Sequence, residues 1–169
     1  TEVDLPPSLE RIGTNAFGFC KNLKQIDLDD TKLSTLGGSA LANCESLEAI
    51  TLPDTLKSIG DAAFEGCVSL QKIDPAGSDI DKIGDSAFSG CMKLASFSVP
   101  EKVKKIPDSC FVSCTGLKAV TLGAETSAIG ETAFLGCARL KTIEGLEQVE
   151  SIGGDAFRDT AWEKDHADA

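Results

Sequence analysis

The chain has 169 residues, 41% hydrophobic and 25% charged, a composition that fits one globular domain with a sizeable core and argues against disorder. Its formal net charge of −11 argues against nucleic acid, heparin or an anionic membrane surface as the main partner. No apolar run approaches the roughly 20 residues that a membrane helix needs, and no signal-peptide pattern is present. Thr1 in first place and Met92 as the sole methionine read as a processed chain or an excised fragment, so the lack of a targeting segment says little about location.

Taken in order, the chain opens on Thr1–Leu5, which reads as the end of a unit, with Val3 and Leu5 as its paired aliphatics. A turn follows in which Ile12-Gly13 leads to Ala16-Phe17 and Cys20. Next comes Leu23-Lys24-Gln25-Ile26-Asp27-Leu28, and the same parts then recur to the end. Cysteines stand at 20, 44, 67, 91, 114 and 137, at intervals of 24, 23, 24, 23 and 23. Three residues before them lie Phe17, Leu41, Phe64, Phe88, Phe111 and Phe134; a seventh copy keeps Phe157 and has Thr160 in the cysteine place. Ala16, Ala40, Ala63, Ala87, Cys110, Ala133 and Ala156 precede the aromatic. Ile12, Leu36, Ile59, Ile83, Ile106, Ile129 and Ile152 lie five residues before it.

After each cysteine the leucine-led stretch returns as Leu47–Leu52, Leu70–Pro75, Leu94–Val99, Leu117–Leu122 and Leu140–Gly145. Its second half alternates with period two, which predicts a short strand with its aliphatics on one side. A unit this short cannot bury its apolar side alone, so the units must stack, each strand pairing in parallel with the next about 4.8 Å away. Phe then stacks on Phe and Cys on Cys. Extra residues fall between Leu28 and Leu33 and between Pro75 and Ile80, in one connecting turn. Gly13, Gly37, Gly60, Gly84, Gly130 and Gly153 predict a tight turn after the second aliphatic, without a strict need for positive φ because Pro107 stands there once.

The cysteine ladder invites a redox or metal reading. Stacked side chains in register hold their Cβ atoms near the strand spacing, longer than a relaxed disulfide prefers, and no Cys-x-x-Cys pair is present. Buried free thiols filling a narrow core position are the expectation. Asp61, Asp85, Asp108 and Glu131 occupy equivalent places in four successive units. One carboxylate per turn offers too few ligands for calcium, whereas a side-chain oxygen there can cap free backbone N–H groups. Arg11, Lys82 and Lys105 lie near enough to soften the repulsion between these acids.

Phe17, Phe64, Phe88, Phe111, Phe134 and Phe157 read as core. Phe19 has no counterpart and is read either as an exposed contact or as packing against a preceding unit. Trp162 reads as a terminal cap. His166, the single histidine, lies in a polar tail, and no nucleophile-elbow, phosphate-loop or metalloprotease motif accompanies the serines. No enzymatic activity and no cofactor are expected.

The motif Ile-Gly-Asp-x-Ala-Phe-x-Gly-Cys-x-x-Leu-x-x-Ile-x-Leu-Pro, nearly complete twice within Asp61–Pro100, resembles that of the BspA-like, Treponema-type leucine-rich repeats, and the resemblance spans essentially the whole chain. Gly154–Trp162 looks like the closing repeat of bacterial members. Leu41, Cys110, Pro75 and Gly145 depart from the pattern, and the last two imply weakened or kinked strands. The resemblance implies a leucine-rich-repeat solenoid of the α/β class, built mostly of short parallel strands and turns. It would comprise about seven repeats of 23–24 residues over 1–162, with a concave parallel sheet and a polar tail at 163–169. It also implies a bacterial cell-surface or secreted protein that binds extracellular-matrix or other surface proteins. Through the concave face it would act as an adhesin-like module, with a spacer that displays another domain as the alternative.

On that face the strands would present Asp27, Thr51, Asp74, Ser98, Thr121 and Glu144, beside Gln25, Ala49, Lys72, Ser96, Ala119 and Thr142. Gln25, Asp27, Thr51, Lys72, Asp74, Ser96, Ser98, Thr121, Thr142 and Glu144 are the candidate protein-binding residues. Neither nucleic acid nor insertion into a membrane is expected for this fragment, and a monomer is.

Overall fold

The structure, a computed structural model, describes residues 2–167, so that Thr1 and Asp168–Ala169 lie outside it. The chain winds as a continuous stack of short turns joined by three rows of backbone hydrogen bonds. The row expected from the period-two pattern contains β2 (Gln25–Asp27), β4 (Ala49–Thr51), β7 (Ser96–Ser98), β9 (Ala119–Thr121) and β11 (Thr142–Glu144). All pairings are parallel and in register: Ile26 lies beside Ile50, and Phe97 and Ile143 flank Val120. The central side chain of each triplet points into the core and its two neighbours point out. The fold is the expected solenoid of parallel strands, with one short α-helix among the described residues.

A second row runs through dipeptide strands just before the recurring glycine: β1 (Arg11–Ile12), β3 (Thr35–Leu36), β5 (Ser58–Ile59) and β6 (Lys82–Ile83), then β8 (Lys105–Ile106), β10 (Ala128–Ile129) and β12 (Ser151–Ile152). Two residues cannot display alternation, so nothing in the residue pattern announces this row.

The third row is the aromatic turn itself. At each of its six steps the N–H groups two before, at, and two after the aromatic position donate to the next turn. Phe64 N–H reaches Ala87 O at 2.8 Å, flanked by Ala62 to Asp85 and Gly66 to Ser89. This alternation needs positive φ on both sides of the aromatic. Asn15, Ser39, Ala62, Ser86, Ser109, Thr132 and Asp155 supply it before, at 53–58°, and the residues two after supply it again, from Asn43 at 57° to Gly90 at 74°. Small or Asx-type residues therefore gather at these places, because a left-handed backbone disfavours bulk.

The recurring glycines before the turn have a second cause beside the one expected. None of them has positive φ. Instead a Cβ on Gly60 would lie 2.6 Å from Gly38 N, and one on Gly84 would lie 2.4 Å from Asp61 N. The expected tight turn is present, with Ala63 N–H donating to Gly60 O at 3.3 Å, and from Gly37 onward glycine is also needed because successive backbones touch.

Both strand rows are interrupted in mid-stack, the main row between Lys72 and β7 and the second row between β6 and β8, while the aromatic row runs through. The main row ends at a single bridge from Ala49 to Lys72, and β6 has no partner beyond β5. Three residues coincide with the break. Pro75 has no N–H for the bond that Leu28 makes to Thr51 O at 3.0 Å. Pro107 lacks the N–H that Gly84 uses toward Ile59 O at 2.8 Å, and it carries ring carbons where the stack elsewhere admits only hydrogen. Phe97 puts a ring in place of an aliphatic, wedged 4.9 Å from Phe88 and 5.0 Å from Phe111. The weakening expected at Pro75 is thus present. At Gly145 it is not: β11 stays paired to β9, and Gly145, at φ 86°, merely opens a 3-10 turn over Leu146–Gln148.

The core is one continuous cluster, with Phe64, Phe88, Phe111 and Phe134 fully buried and their neighbouring rings nearly parallel at 5.2–5.5 Å. Phe17, at the amino-terminal end, is only half-buried, a correction to its expected core place. The seventh aromatic turn leads not to a strand but to α1 (Ala161–His166), so the stack has about six full turns. Thr160 caps that helix, its Oγ1 accepting from Glu163 N at 3.0 Å, and Trp162 covers Phe157 at 4.7 Å as a terminal cap should.

Candidate binding face

Because the odd residues of each strand triplet point outward, the main row turns a ladder of side chains to solvent. Gln25, Asp27, Thr51, Lys72, Asp74, Ser96, Thr121, Thr142 and Glu144 are exposed there and Ser98 is half-exposed, so all ten candidate residues lie on one face. Registers align Asp27 with Thr51, and Ser98 and Glu144 with Thr121. The break after Lys72 divides the face: Gln25, Asp27, Thr51, Lys72 and Asp74 lie on one part and Ser96, Ser98, Thr121, Thr142 and Glu144 on the other.

Several of these side chains have local partners. Asp27 Oδ1 accepts from Asp29 N at 3.0 Å and Asp74 Oδ1 from Ala76 N at 3.1 Å, so both hold Asx turns in the two units that carry an extra residue. Thr121 Oγ1 donates to Glu144 at 3.2 Å, and Gln25 Nε2 donates to Glu2. Thr51, Lys72, Ser96 and Thr142 have no side-chain partner among the described residues. The small side chain of Ala49 leaves a depression of about 500 Å³, walled by Glu2, Gln25, Glu48 and Lys72.

The other sequence features resolve into structure. Five cysteine thiols donate to the carbonyl at the aromatic position one turn back: Cys44 to Phe17 O at 3.1 Å, Cys67 to Leu41 O at 3.1 Å, Cys91 to Phe64 O at 3.3 Å, and Cys114 and Cys137 to Phe88 O and Phe111 O at 3.0 Å. Burial pushes the Cys44 thiol up to about 11 and the Cys67 thiol to about 12, and drives Cys91 and Cys110 upward as well. A thiol is suited to this place because it is small and still a weak donor. Cys20 alone is exposed, a correction to the expectation that the whole ladder is buried.

Three of the four acidic residues are caps, reaching one turn further than expected, whereas the Glu131 carboxylate accepts no such bond among the described residues. Asp61 Oδ1 accepts from Asp85 N at 2.9 Å, Asp85 from Asp108 N at 3.1 Å, and Asp108 from Glu131 N at 3.0 Å. These three carboxylates therefore each tie their own turn to the next. Lys105, 3.1 Å from Asp108, holds that carboxyl below the usual range. Replacing Asp85 by alanine should cost about 0.5–2 kcal/mol in urea unfolding, as other capping carboxylates do, while Asp85→Asn keeps most of it. Equal losses in the two variants would assign the effect to charge and not to the cap.

His166 is absorbed into the carboxy-terminal cap, its ring 4.4 Å from that of Trp162 and its Nδ1 2.7 Å from Trp162 O. Among the described residues, no helix is long and apolar enough to cross a membrane.

The chain matches the family described as BspA type leucine rich repeat region, over residues 1–76 and 34–163, with six copies. Among solved structures it is similar to the leucine rich repeat protein of T. pallidum, at 30% identity and a TM-score of 0.86, covering 95% of this chain and 76% of that one. A leucine rich cell surface protein from Faecalibacterium prausnitzii is 26% identical, with a TM-score of 0.71 over 95% of this chain and 48% of that one. A leucine-rich repeat protein from Bacteroides ovatus is also 26% identical, with a TM-score of 0.66 over 95% of this chain. This chain covers 49% of that protein, so it spans about half the length of these last two. No curated protein gives a significant match.

Proposed function

This chain belongs to the BspA-type leucine-rich-repeat family, and we propose that it serves as a protein-binding module of a bacterial cell-surface or secreted protein, adhesin-like and without catalysis. The repeat domain runs over 1–162, with 163–169 as a polar extension, and acts as a monomer. The observation that carries the reading is the contrast within each strand triplet. Central residues are held to aliphatic or Phe by the core, while the outward residues vary among Gln, Ala, Lys, Ser, Thr, Asp and Glu. A ladder of freely varied side chains on a rigid backbone is what a recognition surface needs. A cell-surface relative supports the location.

The spacer reading is favoured by one feature of the same face. Its candidate residues include no Trp, Tyr or Arg, the side chains that dominate tight interfaces. Binding to a panel of immobilised extracellular-matrix proteins separates the two readings. A variant with Thr51→Lys, Lys72→Glu and Glu144→Lys, and with Asp27→Asn and Asp74→Asn to spare the Asx turns, should lose at least tenfold in affinity. Glu65→Lys, exposed on the aromatic turn, should lose none. Equal binding by both variants removes the concave face as the site, and no binding by the unaltered chain leaves the spacer reading.

A further inference from the structure

The chain's 27 acidic residues are unevenly spread. None falls in 86–100, 109–124 or 132–143, three stretches that each run from an aromatic turn through a strand of the main row. The stretches lie on one another in register: Lys118 N–H donates to Ala95 O at 2.8 Å, and Lys141 N–H to Lys118 O at 3.0 Å. Their only charged residues are Lys93, Lys118, Arg139 and Lys141, all exposed and all beside the leucine that leads into the strand. A chain of net charge −11 thus carries a purely basic strip directly before the strands that present Ser96, Ser98, Thr121 and Thr142.

On the earlier units the same edge is mixed. Lys21 pairs with Glu45 at 3.1 Å, and Glu48 follows Lys24 in the stack, its N–H donating to Lys24 O at 2.8 Å. In the strip, only Lys141 has an ion partner among the described residues, Asp165 at 3.3 Å, so Lys93, Lys118 and Arg139 keep their charges open. Gly116 holds the place between Lys93 and Arg139, where a Cβ would lie 2.3 Å from Met92 O, so no side chain stands between the two bases. Met92 beside them is 48% exposed.

Acids close the strip at both ends. Glu65 and Asp74 are exposed on the unit before it, and Asp155, Asp159 and Glu163 on the turn after it. Its first and third layers are about 10 Å apart at the usual strand spacing, a distance that an extended chain covers in about three residues. A long polyanion would run onto the acids at either end and be repelled there.

We propose that the strip binds a short acidic run, two or three Asp or Glu side chains between neutral residues, in an extended segment of a partner protein. The carboxylates meet Lys93, Lys118 and Arg139, whose guanidinium can take one of them bidentately, and Met92 packs against their methylene groups. This rests on the protein-binding reading above and gives the partner its chemistry.

The probe is a peptide of three consecutive glutamates flanked by glycine and serine, titrated into the isotope-labelled chain in about 25 mM salt and followed by amide NMR. The amides of Lys93, Gly116, Lys118 and Arg139 should shift and those of Lys57 and Lys104 should not. Affinity should fall at least fivefold in about 150 mM salt, as screening sets in. Lys93→Glu with Arg139→Glu should weaken binding at least tenfold. Lys57→Glu with Lys104→Glu, exposed beside the second row, makes the same change in net charge and should leave binding within about twofold. Equal weakening by the two pairs, shifts confined to other residues, or tighter binding of a heparin hexasaccharide than of the peptide overturns the proposal. Peptide binding by a chain that holds no matrix protein supports it and removes the matrix partner alone. Matrix binding without peptide binding overturns it and leaves the concave face in place.

Discussion

Phe111→Ala lowers the free energy of unfolding by about 3–5 kcal/mol, the range for removing a buried aromatic side chain from a packed core. Its ring lies between Phe88 at 5.5 Å and Phe134 at 5.3 Å, with Phe97 against its edge at 5.0 Å. Collapse into the space is obstructed because Phe111 N–H is bonded to Ala133 O at 2.7 Å and its carbonyl holds the Cys137 thiol. The backbone stays at its spacing and the cavity remains. Phe17→Ala should cost only about 1–1.5 kcal/mol, roughly half the transfer free energy of a buried ring, because Phe17 borders solvent and closes no cavity. Guanidinium unfolding of the two variants measures the difference, and equal losses would contradict a core organised around the central rings.

A second large effect is loss of stability in alkali. Cys44, Cys67, Cys91, Cys110 and Cys114 all have thiols raised above the ordinary value. Desolvation is the first cause for Cys44, Cys67, Cys91 and Cys110, and for Cys114 it follows the hydrogen bond with Cys137. A raised folded-state value means that the proton stays on in the fold after the unfolded chain has released it. The contribution is therefore complete below pH 8.5, the ordinary thiol value at about which the unfolded chain titrates, and is lost as pH rises toward the folded values of about 11 for Cys44 and about 12 for Cys67. In that window each thiol should remove about 1.4 kcal/mol per pH unit. Urea midpoints measured from pH 7 to 10.5 should fall steeply above pH 9, and Cys67→Ala should flatten the slope by about one proton. A pH-independent midpoint would mean that the thiols are not desolvated as the structure places them. At pH 7.5 a thiol reagent should modify Cys20 quickly and the buried cysteines only on unfolding.

How the candidate residues could be found from the chain is a matter of period. Gln25, Asp27, Thr51 and Thr121 were legible as outward positions because the alternating aliphatics beside them are long enough to set a phase. Arg11, Thr35, Ser58 and Lys82, outward on the second row, were not, because a two-residue strand has no phase to read. The caps from Asp61 to Asp85 and onward were legible as caps, but not their reach, since the distance between turns is a property of the stack.

Seven copies of one motif, six of them with Phe and six with Cys at the constant places, were enough to specify a stacked parallel solenoid, its core rings and its outward strand face. Repetition does this because one register must satisfy every layer at once. The folded chain alone shows that the glycines serve close approach of backbones and that Cys20 stands apart from its ladder. It also shows that both strand rows part beside Pro75, Phe97 and Pro107. Each of these depends on what lies one turn away along the stack, some 23 or 24 residues distant in sequence, and contact at that range exists only after the turns have been laid on one another.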